Sequence, residues 1–242
     1  MREAVRLLSR SPFQNISKGL ETPLSQASSL TTIEDPFTSP SHTFTYSTDG
    51  FDSYPAPAAY ASRQYSWIHI FPEGKVHQHP MKTMRYFKWG VARLILEPDV
   101  CPDIVPMWID GNQYIMHETR QWPRFLPRVG KQCAVWFGEN VGGEGNSVFH
   151  ELRQRWQRLV EENQRPGESL EVGVLNEKLK FGEEAVALRE ECAQQVRKAV
   201  LNVRKRTGLP DEDPKSGLVE TWREEGGQAE GRMKDDSLVK DA

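Results

Sequence analysis

The change of hydrophobic period between residues 65 and 137 most narrows the folds open to this chain. Trp67-Ile68-His69-Ile70-Phe71 is a compact apolar run closed by Pro72 and Gly74, the pattern of a short buried strand. Met84, Phe87, Val91, Leu94 and Ile95 then recur at helical spacing, with Lys82, Arg85, Lys88 and Arg93 between them. This predicts an amphipathic helix that stops before Pro98. Asp103 to Ile109 is a second β-rich run, in which Pro106 requires an edge position or a bulge. Cys133 to Phe137 is a third, ended by Gly138. Strand, helix, strand is the beginning of an α/β layer, with a mixed sheet and flanking helices.

On the C-terminal side the pattern becomes helical. Residues 147–163 place Val148, Leu152, Trp156 and Leu159 on one face, with Ser147 as N-cap, and Pro166-Gly167 breaks the run. A second helix is expected from about Glu183 to Arg206, with Ala185, Leu188, Cys192, Val196, Ala199, Val200 and Val203 as its stripe. Glu183 and Glu184 at its start and Arg204, Lys205 and Arg206 at its end suit the helix dipole. Residues 208–242 hold ten acids and five bases and few large apolar groups, which predicts a disordered acidic tail.

On the N-terminal side, residues 11–62 are dense in Ser, Thr, Pro and Ala without periodicity. They read as a long loop or insertion, anchored locally by Phe44, Tyr46 and Phe51. The opening Met1 to Arg10 is amphipathic with few acids, the composition of a mitochondrial transit peptide or of an ordinary helix with its arginines in water. The expected organisation is therefore an amphipathic start with a Ser/Pro-rich loop over 1–62, an α/β domain over 63–141, a helical extension over 142–207 and the tail over 208–242.

Bulk properties exclude several classes. A net charge of −3 gives no global basic field for nucleic acid. A mean hydropathy of −0.64 is low for a chain that is compact throughout, so a small domain or an unfolded portion is expected. Cys101, Cys133 and Cys192 form neither a disulfide framework nor a C-x-x-C metal motif. His77-x-His79 lacks a third ligand and is followed by Pro80, so both histidines are expected as solvated turn residues and no metal is implied. No apolar run reaches the length of about 18 residues that a membrane-spanning helix needs.

The segment with chemical content is Phe71-Pro72-Glu73-Gly74-Lys75. Pro72 stiffens the turn, and Gly74 permits a tight backbone. Glu73 is expected at the carboxyl end of a strand, where open α/β sheets place their ligands. There its carboxylate can accept hydrogen bonds from substrate hydroxyls, while turn N–H groups and Lys75 meet phosphate oxygens. Taken alone, Pro-Glu-Gly is equally an ordinary surface turn.

The neighbouring blocks add a resemblance. Phe-Pro-Glu-Gly resembles the third motif of the glycerolipid acyltransferase superfamily, and Ile104-Val105-Pro106 resembles the fourth. Phe87-Lys88-Trp89-Gly90 followed by Arg93-Leu94-Ile95, and Pro123-Arg124-Phe125 with Pro127-Arg128 and Gly130, are similar to the tafazzin family, in a fungal-type variant. The resemblance covers residues 63 to 141. It implies the C-terminal half of an acyltransferase fold and a cofactor-free transfer of acyl chains between phospholipid and lysophospholipid, cardiolipin and monolysocardiolipin above all. It also implies peripheral, monotopic placement on mitochondrial membranes facing the intermembrane space. By the same resemblance Phe71, Pro72, Glu73 and Gly74 would position the lipid's glycerol and phosphate, with Lys75 beside them, and Pro106 would shape the acyl or acceptor pocket. Arg85, Lys88 and Trp89, basic and aromatic on one expected helix, suit an anionic lipid interface or, equally, a core helix with a solvated basic edge.

The chain departs from that family at its catalytic motif, His-x-x-x-x-Asp, in which the histidine is the general base and the aspartate orients it. Five places after His42, His69, His77, His79, His117 and His150 stand Ser47, Gly74, Lys82, Met84, Trp122 and Arg155, and none is aspartate. The chain is therefore expected to begin inside the enzyme and to be inactive by itself. The alternative is a non-catalytic remnant that binds membrane lipid.

Overall fold

The computed structural model describes residues 1–9, 45–46, 54–55, 66–117, 125–143, 147–164 and 172–223. The helical breaks at Pro166-Gly167, the Ser147 side chain, the anchors Phe44 and Phe51 and the end of the tail beyond 223 lie outside them. The described residues are mixed α/β, as the sequence predicts. They divide into two compact units. One comprises Met1–Ile70, Ala92–Pro102 and Gly143–Arg189, the other Phe71–Val91, Asp103–Gly142 and Glu190–Ala242.

In the first unit, α1 (Arg2–Leu7) buries Val5, and also Glu3 and Arg6, so the expected water-facing arginine is not found at position 6. A two-residue antiparallel pairing joins β1 (Thr45–Tyr46) to β2 (Tyr54–Pro55) inside the expected loop. Helix α2 (Gly90–Leu96) contributes Ala92, Leu94, Ile95 and Leu96 to the buried core. Helix α4 (Ser147–Asn163) has the predicted bounds and buries Leu152, Trp156 and Leu159. Val148, expected on that face, is exposed, and Phe149 is buried in its place.

Helix α5 (Glu177–Phe181) begins at Asn176, whose side-chain oxygen accepts the Leu179 N–H at 2.9 Å while its amide donates to the Asn163 carbonyl at 3.1 Å. One residue thus caps α5 and satisfies a terminal carbonyl of α4. Arg189 closes the other end, donating to the Leu179 and Lys180 carbonyls at 2.5 Å each, with its guanidinium 5.8 Å from the Trp156 ring. Helix α6 (Glu183–Arg206) also has the predicted bounds; Ala185 and Leu188 of its stripe are buried in this unit, and Cys192, Val196 and Val203 are buried in its later part, which belongs to the second unit.

In the second unit, β3 (Met107–Asp110) and β4 (Ala134–Phe137) pair antiparallel, in the register Met107 with Phe137 through Asp110 with Ala134. Helix α3 (Asn112–Ile115) lies between them in sequence. Pro106 is buried just before β3, and its carbonyl accepts the Gly138 N–H at 2.8 Å, extending the ladder by one bond. A Cβ on Gly138 would stand 2.7 Å from Pro106 Cγ and from Val203 Cγ2, so only glycine allows this approach.

Three expectations need correction. Trp67 to Phe71 is not a strand, since no ladder forms among the described residues and Trp67 and Phe71 are 84% and 68% exposed. Its β-branched and aromatic content fits a pleated half-buried surface, but a strand exists only where a partner supplies the hydrogen bonds. Residues 84 to 88 form neither helix nor strand, and the helix begins only at Gly90. Residues 208 to 223 are folded rather than a tail. A 3-10 turn at Pro214–Gly217 leads to α7 (Val219–Arg223), and Trp222 is buried with its indole N–H on the Ser216 carbonyl at 2.8 Å. An unfavourable average composition was outweighed there by one large aromatic anchor and one buried carboxylate.

Candidate functional site

The Phe71–Gly74 turn forms as its residues dictate. The Gly74 N–H donates to the Phe71 carbonyl at 3.0 Å, with Gly74 at φ +64°, and the Lys88 N–H donates to the Pro72 carbonyl at 2.8 Å. Phe71, Gly74 and Lys75 are exposed. Glu73 is not. Instead of standing at a strand end, it turns inward and accepts the Arg85 N–H at 2.8 Å. Burial lifts its carboxyl to about 7, opposed by that hydrogen bond and by the charges of Arg197 and Arg85, and reinforced by Glu212.

Glu73 is therefore one member of a buried charge cluster around the irregular segment 81–88, which starts in a turn with Lys82 at φ +53°. The Glu212 carboxylate accepts the Met84 N–H at 2.7 Å and pairs with Arg197 at 2.7 Å and Arg204 at 3.2 Å. Arg197 donates to the carbonyls of Arg85 and Met84 at 2.9 and 2.8 Å. Arg204 donates to those of Lys82 and Met81 at 3.0 and 3.2 Å, and to that of Pro210 at 2.5 Å. Side chains thus replace the missing strand partner. Two carboxylates take successive N–H groups, and two arginines, two helical turns apart on α6, take four carbonyls. Burial also pushes Glu212 upward, against the Met84 hydrogen bond and the Arg197 and Arg204 charges.

Arg85 is buried, with its guanidinium 4.7 Å from the Trp222 ring, so it does not line an exposed basic helix face with Lys88 and Trp89, which are exposed. His77 meets the edge of Trp222 at 4.9 Å and stacks on the buried His79 at 5.5 Å. The expected solvated turn is thus part of the core, because Trp222 folds back onto it. A cavity of about 160 Å³ opens beside His79, Thr83, Arg204, Glu212 and Ser216. None of Phe71 to Lys75 and not Pro106 lines it.

The structure therefore brings Glu73 together with Arg85 and lays the Lys88 side chain over Gly74, where a Cβ would stand 2.8 Å from Lys88 Nζ, but joins neither Trp89 nor Pro106 to them among the described residues. Sequence reasoning missed Arg197, Arg204, Glu212 and Trp222. The available signal was the seven-residue spacing of Arg197 and Arg204 beside Val196 and Val203, which sets both arginines against the apolar stripe.

A carboxyl with a raised folded-state value gives a definite sign. Between the ordinary glutamate value and about 7, the folded protein holds a proton that the unfolded chain has released, so stability falls as pH rises through that window. Glu212 acts in the same direction. Thermal melts of the wild-type chain are expected to fall from pH 5 to pH 7.5, and Glu73→Gln, which keeps an acceptor for the Arg85 N–H, to remove up to about 3 kcal/mol of the stability lost across that window. An unchanged slope in the variant would remove Glu73 as its source.

No protein-family profile matches the chain. Individual proteins do. The chain is 34% identical over 166 residues to the tafazzin of Saccharomyces cerevisiae, covering 65% of this chain and 42% of the yeast protein. It is 40% identical over 89 residues to the tafazzin of Drosophila melanogaster, which is 37% of this chain and 22% of the fly protein. Against the taffazin of Dictyostelium discoideum it is 37% identical over 79 residues, 31% of this chain and 26% of that protein. The chain thus spans less than half the length of these relatives. Over these stretches, and in its ordered motif blocks, the chain is thus similar to tafazzins.

Proposed function

We propose that this chain is a lipid-binding portion of a tafazzin-type phospholipid–lysophospholipid transacylase that serves cardiolipin remodelling, and that these 242 residues by themselves do not transfer acyl chains. The observation that carries the proposal is the ordered series Phe-Pro-Glu-Gly, Phe-Lys-Trp-Gly and Ile-Val-Pro between Phe71 and Pro106, together with the identity to tafazzins. The inactivity rests on the missing His-x-x-x-x-Asp pair, without which no base is set against an attacking hydroxyl. The substrates are phospholipid and lysophospholipid, cardiolipin and monolysocardiolipin first. No cofactor takes part. The site of action is a mitochondrial membrane surface facing the intermembrane space, held peripherally. No helix among the described residues is long and apolar enough to cross a bilayer.

The test is incubation of the chain with a labelled phospholipid donor and a lysophospholipid, alongside vesicle co-sedimentation. Binding without label transfer is the expected result. Transfer that disappears in Glu73→Ala would show that the chain is an enzyme in its own right. Absence of both binding and transfer would end the lipid reading.

The geometry limits what Glu73 does. Its inward carboxyl accepts a backbone N–H and borders Arg197 and Glu212, so its first effect is to fix the course of residues 72–88. A lipid phosphate at the turn would meet the exposed Lys75 and the Gly74 region rather than Glu73 itself.

A further inference from the structure

In the β3–β4 pair, opposed residues share a face. Trp108 and Asp110 mark one face, where the Arg204 guanidinium lies 5.7 Å from the Trp108 ring and Lys82 donates to Asp110 at 2.5 Å. The other face consists of Met107, Ile109, Val135 and Phe137, all apolar. Val135 and Phe137 are 45% and 67% exposed there, and Met107 and Ile109 are partly exposed. The loop that leads into β4 in sequence adds Phe125 and Val129, 75% and 92% exposed, and is tied down by the Arg128 N–H on the Ile115 carbonyl at 3.1 Å. Arg128 and Lys131 are exposed among these apolar groups. From residue 119 to 138 the sequence has four basic residues and no acid, although the whole chain is acidic.

We propose that this hairpin face and its loop form the surface by which the chain lies on an anionic phospholipid bilayer, with Phe125, Val129 and Phe137 entering the interface and Arg128 and Lys131 meeting lipid phosphates. The proposal rests on the membrane reading above but moves the contact away from Arg85, which is buried. Charge complementarity selects the occupant. A bilayer offers an apolar medium and a negative surface together. A second copy stacked through the same face would bring two loops that carry Arg128 and Lys131 and no acid into one interface, with no opposite charge from either to offset them. Single exposed apolar side chains are ordinary on a monomer, whereas a strand face that is apolar at all four positions points to something that covers it.

The experiment is co-sedimentation of the full 242-residue chain with phosphatidylcholine vesicles with and without phosphatidylglycerol, at low and high salt. The wild type is expected to bind the anionic vesicles and to release from them with salt. Arg128→Gln with Lys131→Gln is expected to lose about 30-fold in affinity for anionic vesicles. Val129→Ser with Phe137→Ser is expected to lose about tenfold or more at any salt concentration. Lys178→Gln with Lys198→Gln, an equal change of charge elsewhere, is expected to bind as the wild type. Circular dichroism of each variant checks that it is folded. Wild-type binding that survives in both patch variants would overturn the proposal and leave the lipid reading standing. Failure of the wild type to bind either vesicle would overturn both. A dimer in solution that Phe137→Ser alone converts to monomer, with vesicle binding unchanged, would assign the face to a second copy and overturn the proposal.

Discussion

Replacing Glu212 with alanine is expected to destabilise the second unit by about 3–5 kcal/mol, the range for removing one partner of a buried ion pair. The Glu212 side chain and that of Arg204 are each 3% exposed, and that of Arg197 is 10% exposed. Loss of the carboxylate leaves two guanidiniums buried side by side with only backbone carbonyls as acceptors, and also orphans the Met84 N–H. Those costs add in one direction, and Glu73, the other buried carboxyl of the cluster, titrates near 7 and so replaces the lost charge only in part. Glu212→Gln is expected to lie between wild type and alanine, since the amide oxygen can still accept from Met84 but neutralises neither arginine. The control is Asp211→Ala. Asp211 pairs with Lys205 at 3.0 Å, but the two side chains are 76% and 68% exposed, and surface pairs of this kind contribute almost nothing. Urea unfolding followed by tryptophan fluorescence reads the difference through Trp222 and Trp108. A Glu212→Ala midpoint equal to that of Asp211→Ala would show that the cluster does not hold this unit together.

The same cluster explains what could and could not be read from the sequence. Helices α4 and α6 were legible to the residue because a helix satisfies its own hydrogen bonds, so its signal is local. Strand β4 was legible as Cys133–Phe137, one residue longer than the Ala134–Phe137 observed, because it is a dense apolar run ended by Gly138. The 84–88 segment misled. Met84 and Phe87 are buried as a helical stripe would require, yet the carbonyls of Met84 and Arg85 are taken by Arg197, more than a hundred positions away. A competitor so distant leaves no mark on local periodicity. The Phe-Pro-Glu-Gly turn was legible as a turn, and its glycine holds positive φ. The direction of Glu73 was not, because it depends on where Arg85, Arg197 and Glu212 converge, and Glu212 sits in a stretch whose composition reads as solvated. Averaging over 208–242 hid the two residues, Glu212 and Trp222, that hold its first part in place. Within the candidate site, then, the motif came from sequence and its electrostatics from the fold.

In the first unit the largest single effect is expected at Arg153, a residue that periodicity assigns to a helix surface. Its guanidinium is buried and donates to the carbonyl of Ile95, to that of Pro98 at 2.7 Å and to that of Asp99 at 3.2 Å. Helix α2 ends at Leu96 with Pro98 close behind, so its last carbonyls have no helical donors, and the chain beyond runs without a regular partner. Arg153 supplies from α4 the donors that a longer helix would have supplied itself. Arg153→Met keeps the aliphatic stem and the volume while removing all the donors, so packing loss is small and the cost is that of buried unsatisfied carbonyls, about 2–4 kcal/mol in total. Arg153→Lys should recover only part of this, because one ammonium cannot span three acceptors arranged for a planar fork. Arg155, two residues on and exposed, is the comparison site, and Arg155→Met should leave the melting temperature nearly unchanged. Hydrogen exchange separates this account from a general loss of stability. In Arg153→Met, protection should fall first at the Glu97 N–H, which donates to the Arg93 carbonyl at 3.1 Å in the last turn of α2. If that amide kept its protection while the whole protein melted earlier, Arg153 would be acting through packing and not as the cap of α2.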